Sequence, residues 1–148
     1  MESQFDLDRF VSAQEAAFAR ALAELRGGRK RTHWMWFVFP QLAGLGNSPM
    51  ARRYALGSVR EAQAYLAHPL LGQRLAEAVA AAMASGETDA RRLFGSPDDM
   101  KFSSCLTLFA HAAPEGARFC ADALDRFYGG AADERTLEIL KALCRREA

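Results

Sequence analysis

The sequence predicts an all-α fold, a compact single-domain bundle of about eight or nine short helices with no significant sheet. Three observations carry this expectation. Leu7, Phe10, Val11, Gln14, Phe18, Ala21, Leu22 and Leu25 recur at the spacing of one helix face, and similar stripes follow along the chain. Helix starts and stops of good chemistry punctuate those stripes, among them Ser48-Pro49, Asp133 and Gly129-Gly130. The one stretch of high β propensity, His33 to Gln41, has no second strand candidate nearby to pair with.

Taken in order, the first helix has Asp6 as its expected N-cap and Gly27-Gly28 as its end. A basic link follows, Arg26 to Thr32, and then His33 to Gln41, read as a short buried helix. Gly44 to Asn47 is a loop. Ser48 caps a helix with Pro49 at its first position. Ser58 and Glu61 have the spacing of a capping box, and the helix they open stops at His68-Pro69. Leu70 to Ala84, rich in alanine and leucine, is the next helix and ends near Gly86. Asp89 to Phe94 makes a short helical turn. Ser96-Pro97-Asp98-Asp99 is the strongest start in the chain, with a cap, a proline and two acids at the positive end of the helix dipole. That helix runs to about Ala112. Pro114 opens another through Phe127, and Asp133 caps a last helix of about 133–146. No repeat or long linker divides the chain, so 1–148 is expected to be one domain.

At 148 residues the chain can bury roughly 68–70% of its unfolded surface without a disulfide or metal staple. A net charge of +1 gives no global pull toward nucleic acid or an anionic membrane, and argues against a nucleic-acid partner. The acidic start, Met1 to Asp6, has no apolar core of a signal peptide. The longest apolar run, Trp34 to Pro40, is too short to span a bilayer. The expected location is the cytoplasm, with no membrane association. Cys105, Cys120 and Cys144 each sit in an apolar helical pattern and read as buried free thiols. Cys105 and His111 lie six residues apart on one helix, about 240° around it, so they face apart and make no nucleophile–base pair. His33, His68 and His111 are dispersed, no zinc spacing occurs, and Gly44-Leu45-Gly46 lacks the rest of a dinucleotide fingerprint. No metal and no cofactor is expected, and no residue is assigned a catalytic role.

Several blocks resemble a known family. They are Phe10 to Gln14, Gly28 to Gln41 with Gly44 to Ser48, Glu61 to Pro69, and Phe94 to Phe109. Together they resemble the family named "domain of unknown function 1810", whose members are small all-helical bacterial proteins. The resemblance covers about 6–127. It implies a compact helical domain and no particular activity.

Two constellations carry chemistry. The first is Arg29, Lys30, Arg31, His33, Trp34, Trp36 and Gln41. Guanidinium and ammonium groups bind phosphate or carboxylate, and indoles stack on bases or cover cations. The same aromatics would equally serve as core. The second is the helix from Pro97 to Ala112. Phe102, Cys105, Leu106 and Phe109 fall in one arc of about 100°, and Ser103, Ser104, Thr107 and His111 in another. An apolar helix should bury hydroxyls only with partners, since each unsatisfied polar group costs about 1–3 kcal/mol. Either the hydroxyls bond back to the preceding turn, or they line a polar pocket with Lys101 as its cation. Asp98 lies three residues before Lys101, within pairing distance on a helix.

The functional expectation is a small anionic, nucleotide-like ligand, bound or turned over between the aromatic block and the polar helix. Arg29, Lys30 and Lys101 would meet its charge, Trp34 or Trp36 would stack, and Ser103, Ser104 and Thr107 would orient it. The alternative is a protein-interaction or regulatory module without a catalytic site. One concave pocket holding Lys101 and a tryptophan edge favours the first, and a flat exposed aromatic patch the second.

Overall fold

A computed structural model describes residues 5–147, the side chain of Glu147 excepted. The leader reading at residues 1–4 lies outside the described residues. Nine helices and no strand occur among the described residues. They are α1 (Asp8–Arg26), α2 (Met35–Val38), α3 (Pro49–Tyr54), α4 (Val59–Ala67), α5 (Leu71–Ala84), α6 (Ala90–Phe94), α7 (Asp98–Ala112), α8 (Arg118–Tyr128) and α9 (Glu134–Glu147). A single parallel bridge joins Leu42 to Leu56, which ties the loop after α2 to the end of α3. No described helix is long and apolar enough to cross a membrane.

α7 is the centre. Every residue from Phe102 to Phe109 is buried, because α8, α4, α6 and α9 all pack on it. Phe102 is the hub of its aromatic contacts, with ring centroids 4.8 Å from Phe39, 4.4 Å from Phe94 and 5.7 Å from Phe127. α1 packs on α5 at the other side of the core. Gln14 of α1 is buried there. Its Nε2 donates to the Phe37 carbonyl at 2.6 Å and to the Tyr65 hydroxyl at 3.0 Å, so α1, α2 and α4 share one polar knot.

The turn between α4 and α5 is closed by His68. Its Nδ1 accepts from the amides of Leu70 and Leu71, which satisfies the open end of α5. Gly72 sits against the carbonyl of Leu66. A Cβ at this position would lie 2.1 Å from that oxygen.

Most expected boundaries stand, and five local expectations are corrected. Buried Leu7, not Asp6, takes the cap position of α1, because its side chain is drawn into the core and the helix starts one residue later. Ser58 caps α4 as expected, but Glu61 accepts from the amide of Gly57 at 2.8 Å, since its other oxygen is held by Arg9. Ser96 makes no side-chain cap of α7. Pro97 occupies the cap position, and the first amides bond the carbonyls of Gly95 and Pro97 instead. Residues 114–117 form a turn, and α8 begins at Arg118, because its apolar face, Cys120, Ala123, Leu124 and Phe127, starts only there. Cys144 is exposed, not buried. The buried stripe of α9 runs through Thr136 and Leu140 toward Leu143 and leaves Cys144 outside it.

Candidate functional site

The basic link is held in place by one carboxylate. Glu24, in the last turns of α1, accepts from the amides of Arg31 (2.7 Å) and Thr32 (3.0 Å), the Thr32 hydroxyl (2.7 Å) and the Trp34 indole Nε1 (2.9 Å). Burial works to raise its pKa, but these hydrogen bonds outweigh it and hold the carboxyl down at about 2. Gly28, with φ of +83°, lets the chain reverse so that the link folds back over Glu24.

So fixed, the link sends Lys30 inward. Its side chain is only 7% exposed and its Nζ meets Asp98 Oδ2 at 2.9 Å, donates to the Thr32 carbonyl at 2.7 Å and lies 5.0 Å from the Trp34 ring. Its neighbours Arg29 and Arg31 point out and are exposed, as is His33. Asp98 also meets Lys101, at 3.3 Å, and Lys101 Nζ lies 5.4 Å from the Trp36 ring. Two ammonium groups, each over an indole, thus share one carboxylate at the start of α7.

Lys101 faces a pocket of about 340 Å³. The start of α7 forms one wall through Pro97, Met100, Lys101 and Ser104. The start of α9 contributes Asp133 and Arg135, and the loop leading into α3 contributes Gln41, Asn47 and Ser48. A crevice of about 10 Å³ adjoins it. Gln41, Gly46 and Ala51 line both, and Trp36 lines the crevice.

Two of the hydroxyls on α7, those of Ser104 and Thr107, have protein partners. Ser104 Oγ shares its one hydrogen between the Met100 carbonyl at 3.0 Å, one turn back, and Asp133 Oδ2 at 3.2 Å. Thr107 Oγ1 accepts from the Asp133 amide at 2.8 Å. Asp133 in turn caps α9 through the Thr136 amide and hydroxyl. The polar arc of α7 is therefore the socket for α9. Ser104 alone of its hydroxyls also reaches the pocket.

Of the residues singled out in the sequence, Gln41, Lys101 and Ser104 line the pocket, with Trp36 beside it. Lys30 stands behind it, closed off by Asp98. Trp34, 1% exposed, is core and offers no free face to a ligand. Ser103 and Thr107 are buried away from the pocket lining, and Arg29 and His33 lie on the outer surface of the link. Sequence reasoning missed Glu24 and Arg135. Glu24 carried a readable signal, an acid one helical turn before a Gly-Gly reversal into a cationic link. Arg135 carried none, since only the docking of α9 brings it to α7.

The buried thiols take no part. Burial pushes Cys105 well up and Cys120 up to about 12, so both remain protonated at neutral pH. No group of three or more metal-ligating side chains occurs among the described residues.

The comparisons agree with this architecture. The chain is similar to the conserved hypothetical protein Rv1873 from Mycobacterium tuberculosis, whose crystal structure superposes with a TM-score of 0.91 at 48% identity over 94% of this chain and 99% of that one. No curated protein matches. The family described as "protein of unknown function (DUF1810)" matches residues 4–140, a span that reaches past the expected 6–127 into α9, whose Leu140 packs in the same core. The chain belongs to the DUF1810 family.

Proposed function

We propose that this protein binds a small anionic, nucleotide-like molecule in the pocket between the starts of α3, α7 and α9. The observation that carries the reading is the placement of Lys101. It stands on the pocket wall with the Trp36 indole beside it and the Arg135 side chain on the opposing element. Lysine and arginine supply charge for a phosphate or carboxylate, and Gln41, Asn47 and Ser48 supply neutral hydrogen bonds. Asp98 carries Lys30 as a second counter-ion, so the Lys30–Asp98–Lys101 group keeps a net positive charge. The volume lies at the low end of ligand pockets, roughly 300–1,000 Å³, which fits a mononucleotide better than a dinucleotide. The aromatic block is mostly interior, with Trp34, Phe37 and Phe39 buried, and this weighs against a flat aromatic docking face.

The test is thermal stability against inorganic phosphate, nucleoside monophosphates, ribose 5-phosphate, NAD, ADP-ribose and short oligonucleotides. A ligand at 100 times its Kd stabilises by about 2.7 kcal/mol, roughly 5–10 °C for a chain of this size. The shift is expected for at least one phosphorylated compound and is lost in Lys101→Ala and Arg135→Ala proteins that remain folded. A panel without any shift would turn the reading to the protein-interaction module.

A further inference from the structure

Resting on the pocket as a ligand site, we propose that Lys101 is a movable cover on the Trp36 indole, withdrawn by an incoming anion so that a planar ring can stack there, which selects nucleoside monophosphates over simple phosphates. The two lysines on Asp98 are not equivalent. Lys30 is 7% exposed and 2.9 Å from the carboxylate, while Lys101 is 26% exposed and 3.3 Å from it. Lys101 is therefore the cation free to leave. Its departure strands no charge, because Lys30 still neutralises Asp98. The contacts it gives up, a solvated i,i+3 ion pair and a partly exposed cation–π contact, belong to the weak classes of both interactions.

The indoles differ in the same way. Trp34 is sealed beneath Lys30 and tied to Glu24, whereas Trp36 is only partly buried and the ammonium of Lys101 lies over its ring. A base cannot occupy that face while the ammonium is there. The pocket holding Lys101 and the crevice lined by Trp36 share Gln41, Gly46 and Ala51. A phosphoryl group that draws Lys101 into the pocket uncovers the ring face beneath its ammonium, and a planar ring would take the space that the lysine side chain leaves, since the crevice itself holds only about 10 Å³. Lysine suits this motion, as a point charge on a flexible four-carbon stem.

The experiment compares AMP, ribose 5-phosphate and adenosine by calorimetric titration and by tryptophan fluorescence, on wild type, Lys101→Met, Lys101→Gln and Trp36→Phe, each checked for folding. The expected result is AMP binding at least about tenfold tighter than either fragment, with fluorescence quenching that Trp36→Phe abolishes. Removing the cover should act with opposite signs, weakening AMP and ribose 5-phosphate but strengthening adenosine several-fold in both Lys101 variants. Equal affinity for AMP and ribose 5-phosphate without quenching, or adenosine binding unchanged by Lys101→Met and Lys101→Gln, would overturn the cover and leave the pocket reading standing. Failure of all three compounds to bind wild type would overturn the cover, and together with a stability panel in which no compound gives a shift it would overturn the pocket reading as well.

Discussion

The indole of Trp34 donates its Nε1 hydrogen to Glu24 Oε1 across 2.9 Å, and this contact fastens the aromatic block to the end of α1. Through it, one exposed basic link and one buried ring become parts of the same structure. The neighbouring Lys30 is turned inward onto Asp98 as a consequence. The geometry of the candidate site therefore depends on a residue that does not touch it.

Glu24→Ala should lower stability by about 2–3 kcal/mol, the scale of a single charge-assisted hydrogen bond, since it removes a charged acceptor from four donors at a half-buried site where water replaces most of the lost bonds. The measurement is urea unfolding monitored by circular dichroism. A loss below about 0.5 kcal/mol would mean that the link holds its conformation without this carboxylate.

The pH dependence has a defined sign. Glu24 titrates near 2 in the folded chain against an ordinary 4.5, so its contribution is fully present above about 4.5 and fades as the pH falls toward about 2. Glu24→Gln cannot titrate. The stability gap between wild type and Glu24→Gln is expected to be constant from pH 8 to 6 and to narrow steadily in the acid window. A gap that stays unchanged down to pH 2.5 contradicts the depressed pKa.

Gly72→Ala should be among the most damaging single substitutions. The new methyl group would meet the Leu66 carbonyl oxygen at 2.1 Å, which is backbone and cannot swing aside. Separating α4 from α5 to relieve it would disturb the His68 cap as well. A cost of about 3 kcal/mol or more is expected, read as a fall in Tm of roughly 6 °C or more. A folded variant within 1 °C of wild type would show that the corner can relax.

Thiol reactivity should divide by burial. Cys105 and Cys120 are buried with raised pKa values, and Cys144 is exposed. A maleimide at neutral pH should label the native chain once, at Cys144, and the unfolded chain at all three cysteines. Rapid native labelling at two or three positions would show that α7 or α8 opens readily.

The helices were legible because their determinants are local. Ser48-Pro49, Ser58, Asp89, Asp133 and Gly129-Gly130 act within a turn of their own positions, and apolar spacing declares which face is buried. The boundaries that moved, at Leu7, Pro97 and Arg118, moved where contact with the core outweighed the local signal. Of the candidate site, Lys101, Trp36, Gln41 and Ser104 could be named in advance, since residue type alone recommends them. Their company could not. Lys30 and Lys101 are 71 positions apart and meet only on Asp98, and Arg135 reaches the pocket only because Thr107 and Ser104 receive the cap of α9. Which tryptophan is sealed and which borders a cavity was decided by tertiary packing alone. The two share one apolar block two residues apart, and only their surroundings, Glu24 and Lys30 around Trp34, and Lys101 and a small crevice beside Trp36, distinguish them.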